Sequence, residues 1–215
     1  MVSVAPVLVT GFQPFGGETL NPSADVAHAL AGARVGGVPV VTAVLPCVFG
    51  RSLEQLRGAL DTHRPQLVLA LGQAGGRDGF SIERVAINVD DARIADNAGI
   101  GPIDTPVIHG APAAYFSTLP IKAMVGALRR AGWPAAVSQS AGTFVCNHVF
   151  YGLMHSLRRR RVRAGFMHLP LLPEQAARRG GPCLALSDQV AGVALALEVA
   201  LTTRGDSAES GGALD

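Results

Sequence analysis

The chain has 215 residues, 48% hydrophobic and 16% charged, with a net charge of +2. That length suits one medium-sized domain whose single core needs no staples. A net charge so small gives no reason to expect nucleic acid or an anionic membrane as an obligatory partner.

Residues 6–10 (Pro-Val-Leu-Val-Thr) read as a short buried strand, followed by a Gly- and Pro-rich loop over 11–17. Asn21-Pro22-Ser23 introduces a helix over about 23–31, and residues 38–45 form the next strand. A helix over 52–63 puts Leu53, Leu56 and Leu60 on one face, with Ser52 and Gln55 spaced as a capping box. Residues 66–71 are an apolar strand that ends in Gly72 and a Gly-rich turn; residues 81–89 form another strand, and a polar loop runs on to about 112. Pro120 suits the first turn of a helix ending at Gly132, and 135–138 is a strand. A helix starts near Phe144 and carries Val149, Leu153 and Leu157 at four-residue spacing; 164–169 is the last strand. The final helix opens at Ser187-Asp188 and buries Val190, Val193, Leu197 and Leu201. Strands alternating with helices predict an α/β fold with a sheet covered on both faces. We expect one domain over 1–203 and a small, polar, disordered tail over 204–215.

Charged residues fall below the roughly 25% usual in soluble domains, which suggests a generous core, an apolar subunit interface, or both. The N-terminus has no positive charge before its apolar residues and does not read as a secretory signal. The richest late apolar stretch is broken by Asp188, Gln189 and Glu198, so it does not read as a membrane span. Three widely spaced cysteines, Cys47, Cys146 and Cys183, without a CxxC, read as free thiols in a reducing cytoplasm.

Cys146 stands in the first turn of a helix after a flexible Ala-Gly-Thr segment. Free N–H groups and the helix dipole favour a thiolate there, though free cysteines are also commonly buried packing residues. Cys47 and Cys183 lack that setting and read as structural. A thiol nucleophile needs an imidazole as base and acid. His148 is only two residues away, and residues two apart on a helix do not face each other. His28, His63 and His155 fall in helices. His168 closes a strand, where α/β sheets present functional groups, which puts it modestly ahead of His109 in the long loop.

Glu83 shares the apolar face of its expected strand with Val85, Ile87 and Val89. It could orient an imidazolium as a third triad member, pair with a structural arginine, or lie on a partly buried face. The loop over 11–17 is neither a dinucleotide fingerprint nor a Walker loop. Its two phenylalanines could wall a flat neutral ligand or pin a turn, and the Gly72–Gly76 cluster could be a tight turn alone. No zinc or EF-hand spacing is present, so we expect no metal and no cofactor. The basic run over 158–163 ends a helix and has no aromatic platform, so a solvated helix end is the simpler reading. A phosphorylase-like enzyme and an RNA-binding module remain as alternatives.

Several stretches taken in order resemble type I pyroglutamyl peptidases, also called pyrrolidone-carboxylate peptidases. They are Gly11-Phe-Gln-Pro-Phe-Gly-Gly with Asn21-Pro-Ser, Glu83-Arg-Val-Ala-Ile-Asn, and Ala95-Asp-Asn-Ala-Gly. Tyr115-Phe-Ser-Thr-Leu-Pro, Ser140-Ala-Gly-Thr-Phe-Val-Cys-Asn-His and Gly165-Phe-Met-His-Leu-Pro complete the set. The resemblance implies a single-domain α/β/α sandwich with a twisted, mostly parallel (mixed) sheet, and a homotetramer. It implies a cytoplasmic cysteine peptidase that removes N-terminal pyroglutamate from peptides through a thioester. It further implies a triad of Cys146, His168 and Glu83, with Phe12 and Phe15 holding the lactam ring and Asn21 and Gln73 near the substrate. Arg93 would sit near the thiolate and the developing oxyanion, with Ile94, Phe144 and Val145 lining the pocket.

Overall fold

The computed structural model describes residues 4–212. Its strands are β1 (Val7–Phe12), β2 (Arg34–Val35), β3 (Val38–Leu45), β4 (Leu67–Gln73), β5 (Phe80–Glu83), β6 (Val85–Ile87), β7 (Ala114–Phe116), β8 (Ala135–Ser138) and β9 (Arg163–Leu169). Its helices are α1 (Pro22–Leu30), α2 (Arg51–His63), α3 (Ile121–Arg130), α4 (Val145–Leu157), α5 (Pro173–Arg179) and α6 (Leu186–Thr202). Seven strands form one mixed sheet in the order β2-β3-β1-β4-β9-β5-β8, and β6 and β7 pair separately. Strands β3, β1, β4 and β9 run parallel to one another, whereas β5 runs antiparallel to β9 and parallel to β8.

The alternation of side chains along each strand divides the core in two. Val7, Val9, Leu67, Leu69, Leu71, Phe80, Ile82, Met167 and Leu169 face α1, α3 and α6. Leu8, Val68, Ala70, Ala164 and Phe166 face α2 and α4. The sheet is therefore covered on both sides, in the α/β architecture read from the sequence. Among the described residues, no helix is long and apolar enough to cross a membrane.

Several local expectations need correction. The strand expected over 81–89 breaks at Arg84, whose N–H donates to the carbonyl of Ser138 while its carbonyl accepts from Ser117. The chain then leaves the main sheet for β6, so Glu83 shares its buried face with Ser81 rather than with Val85 and Ile87. The capping box of α2 does not form: Gly50 is the N-cap, Gln55 donates instead to the Val44 carbonyl, and the buried Ser52 hydroxyl has no hydrogen-bond partner among the described residues. Strands β2 and β7 and helix α5 are additional. Residues 204–212 carry no helix or strand, as the composition suggests, yet they are tied to the body. Asp206 accepts from the Lys122 and Ala123 N–H groups at the start of α3, and the Gly211 carbonyl accepts from Arg84 and Gln139.

Candidate active site

The C-terminal ends of β4 and β9 lie side by side, with Gly72 the register partner of His168, and Ser81 of the reversed strand β5 pairs with His168 from the other side. On the face towards α4, Gly72 leaves a gap where a side chain would be. A Cβ built there would lie 3.0 Å from the Sγ of Cys146 and 2.8 Å from the Phe166 ring. Glycine is required for the thiol to approach the sheet this closely. It brings the sulfur to the strand pair that carries His168.

His168 and Glu83 project from the same face. The Nδ1 of His168 is 2.7 Å from Oε1 of Glu83, and both side chains are buried. The same Oε1 accepts from Nη1 of Arg77 at 2.8 Å, while Oε2 has no hydrogen-bond partner among the described residues. A fully buried carboxylate of this kind keeps its charge only where donors compensate for the lost water. Here the donors are an imidazole and a guanidinium. Among the described residues, no hydrogen bond joins the Cys146 sulfur to His168.

Cys146 is the second residue of α4, which has no side-chain cap and no acidic residue in its first turn. The first N–H groups of such a helix have no intrahelical acceptor. Asn147 and His148 fix this end of α4. Asn147 accepts from the Ile87 N–H and donates to the Ile87 and Val89 carbonyls. His148 places Nδ1 at 2.7 Å from Asp90 and accepts the Gly50 N–H at Nε2. His148 thus turns away from the sulfur, as helix geometry requires of residues two apart.

The electrostatics bear on the expectation of a thiolate. Burial pushes the Cys146 thiol well up; neighbouring Cys47 and Glu83 raise it further, and Arg77 lowers it. Burial also pulls His168 down, against the hydrogen bond and charge of Glu83 and with the charge of Arg77. Both shifts run against charge separation, and desolvation is the largest cause of each. By solvent exposure Cys146 is only partly buried; Cys47 is buried, its thiol pushed up to about 12 by burial and Asp96, and Cys183 is exposed.

The residues expected to bind substrate divide into four groups. Phe15 and Phe144 pack with ring centroids 6.0 Å apart, and Ile94, 40% exposed, reaches the loop at Gly16. Phe12 and Val145 lie instead in the core, Phe12 against Phe166. The side chains of Asn21 and Gln73 are engaged within the protein. Asn21 caps α1 through the Ser23 N–H and hydroxyl and donates to the Gln13 carbonyl. Gln73 accepts from Gln175 of α5, which also donates to the Leu20 carbonyl. These contacts brace the loop over 11–21. Arg93 is exposed, and the cation whose charge reaches Cys146 is Arg77.

Sequence reasoning missed Arg77 and Phe49. Phe49 packs edge-on against both Phe144 and His148, and its N–H donates to Asp96. Asp96 also accepts from the Ala98 and Ile100 N–H groups, so one carboxylate organises the turn beside the aromatic wall. Arg77 lies in the Gly-rich turn after β4, where only its position opposite a buried carboxylate could have marked it.

A family model described as pyroglutamyl peptidase matches residues 5–203. The chain belongs to the pyroglutamyl peptidase family. It is 60% identical over 212 residues to the pyrrolidone-carboxylate peptidase of Cupriavidus taiwanensis, covering 97% of this chain and 98% of that one. The crystal structure of pyroglutamyl peptidase I from Bacillus amyloliquefaciens superposes with a TM-score of 0.94 at 44% identity, covering 96% of this chain and 100% of that one. A mutant pyrrolidone carboxyl peptidase from Pyrococcus furiosus gives 0.89 at 42% identity, covering 91% and 98%. Membership of this family sets aside the phosphorylase-like and RNA-binding alternatives.

Proposed function

We propose that this member of the pyroglutamyl peptidase family hydrolyses the bond after an N-terminal pyroglutamyl residue, with Cys146 as nucleophile, His168 as base and acid, and Glu83 as the orienting carboxylate. The observation that carries the reading is the seating of the Cys146 sulfur on Gly72, the register partner of His168, with His168 Nδ1 on Glu83. A pyroglutamyl terminus has no ammonium, so recognition falls to a slot for a flat neutral lactam. Phe15, Phe144 and Ile94 are assigned to its wall, with Phe12 and Val145 behind them. Asn21 and Gln73 hold the surrounding backbone, and Arg93, next to Ile94 in the chain, is assigned to the developing oxyanion.

The sulfur attacks the carbonyl joining the pyroglutamyl residue to the next one. His168 takes the thiol proton as the C–S bond forms. The uncapped N–H groups at the start of α4 stabilise the oxyanion, each contributing about 3–4 kcal/mol. His168 then protonates the departing amine, and the thioester is hydrolysed by water activated at the same nitrogen. The same reading places the protein in the cytoplasm, where free thiols persist, as a homotetramer of single-domain subunits.

The test is release of a chromogenic amine from a pyroglutamyl amide, compared with the corresponding prolyl amide. We expect turnover of the first only, and its loss in Cys146→Ala by a factor on the order of 10⁶ with the fold intact. Near-normal turnover by Cys146→Ala would overturn the assignment.

A further inference from the structure

Arg77 stands on the turn that links the end of β4 to the start of β5, beside the end of β9 that carries His168. Its guanidinium forms a fork: Nη1 donates to Oε1 of Glu83 at 2.8 Å, and Nη2 to the carbonyl of Ser140 at 3.3 Å. Ser140 opens the turn that leads into α4 and Cys146. One side chain therefore joins the carboxylate behind His168 to the segment that delivers the sulfur. Its own side chain is 28% exposed, so it brings a hydrated charge to a carboxylate that water does not reach.

We propose that Arg77 is a positioning residue, which balances the charge of Glu83 so that His168 rests as the neutral base, and holds the turn before α4 in register with it. The inference rests on the function proposed above. A buried carboxylate demands one compensating positive charge. With Arg77 present that charge is the guanidinium, and Glu83 orients the imidazole by a hydrogen bond without needing it protonated. Without Arg77 the nearest source of positive charge is His168, and an imidazolium cannot accept the proton of a neutral thiol. The groups that bear on this balance are Glu83 from β5, Cys146 from α4, Cys47 from the loop after β3, and Arg77. Arginine suits the position because its planar fork serves two acceptors that a lysine ammonium would have to choose between.

The test uses the full-length Arg77→Met and Arg77→Lys variants. The His168 titration is followed by NMR of its imidazole, assigned with a His168→Asn variant, alongside kcat/KM against pH and the melting temperature. We expect Arg77→Met to move the His168 titration upward by about one pH unit. Its kcat/KM should fall more at pH 6 than at pH 8, through kcat rather than KM. Arg77→Lys should restore the titration, with a smaller loss of kcat that persists at both pH values. An unchanged His168 titration in Arg77→Met would overturn the proposal, as would a loss of activity that is uniform with pH and follows the melting temperature. The NMR readout does not depend on turnover. Failure of the wild-type protein to cleave a pyroglutamyl amide would thus count against the proposed function, and an unmoved imidazole against Arg77.

Discussion

Among the described residues, two imidazole–carboxylate pairs are buried, and their Nδ1–oxygen distances are both 2.7 Å: His168 with Glu83, and His148 with Asp90. In each, one carboxylate oxygen, Oε2 of Glu83 or Oδ1 of Asp90, is left without a hydrogen-bond partner among the described residues. They differ at the other imidazole nitrogen. Nε2 of His148 accepts the Gly50 N–H, so both nitrogens are engaged and the ring is fixed as a brace between α4 and the start of α2. Only Nδ1 of His168 is engaged by a protein group among the described residues, and the ring belongs to the strand pair against which the Cys146 sulfur is seated. A carboxylate behind a histidine is therefore not a mark of catalysis. The free nitrogen and its neighbour make the difference.

The largest effect that tests this contrast comes from Glu83→Gln, which keeps the shape of the side chain but removes the charge. It should lower kcat by a factor on the order of 10⁴ with a smaller change in KM, measured by steady-state kinetics. A tenfold effect would put Glu83 in the same structural class as Asp90. The opposite pattern is expected for His148→Ala, which leaves Asp90 buried and unpaired. It should cost about 3–5 kcal/mol in urea unfolding while the folded enzyme keeps kcat within tenfold. Smaller still is Gly72→Ala. A methyl group there must displace the sulfur or the Phe166 ring, and kcat should fall by about 10² with the melting temperature only modestly lowered. The pH profile sharpens the same contrast. Burial holds His168 below 6.5, so the acid limb of kcat/KM should lie below that value.

The parts of the fold governed by repeating apolar patterns were legible in the chain. Leu53, Leu56 and Leu60 of α2 and Val149, Leu153 and Leu157 of α4 meet on one face of the sheet, as their spacing requires. Short elements without such a pattern were not: β2 has two residues, and α5 (Pro173–Arg179) has no apolar stripe, although Pro173 in its first turn and Gln175 two positions on are N-terminal signals. The alternation through Glu83 and Val85 suggested one strand because periodicity cannot detect that hydrogen bonding changes partners at Arg84. Helix starts, strand ends and a carboxylate on an expected apolar face made Cys146, His168 and Glu83 candidates among others, and the family resemblance selected them as a triad. Arg77 acts through a contact made only when the turn after β4 folds over Glu83. Likewise the helix position of Cys146 is visible in sequence, but the desolvation that pushes its thiol up is not.

The central claim concerns one sulfur, and graded alkylation tests it most directly. The protein is treated with iodoacetamide, and the residual cleavage of a pyroglutamyl amide is compared with the fraction of each cysteine modified, found by peptide mass spectrometry. Activity should fall in step with modification of Cys146 and be indifferent to modification of the exposed Cys183. Because burial raises the Cys146 thiol, its reaction should go on accelerating above the roughly pH 8.5 at which an unperturbed thiol is half ionised. Full modification of Cys146 with undiminished cleavage would contradict the account.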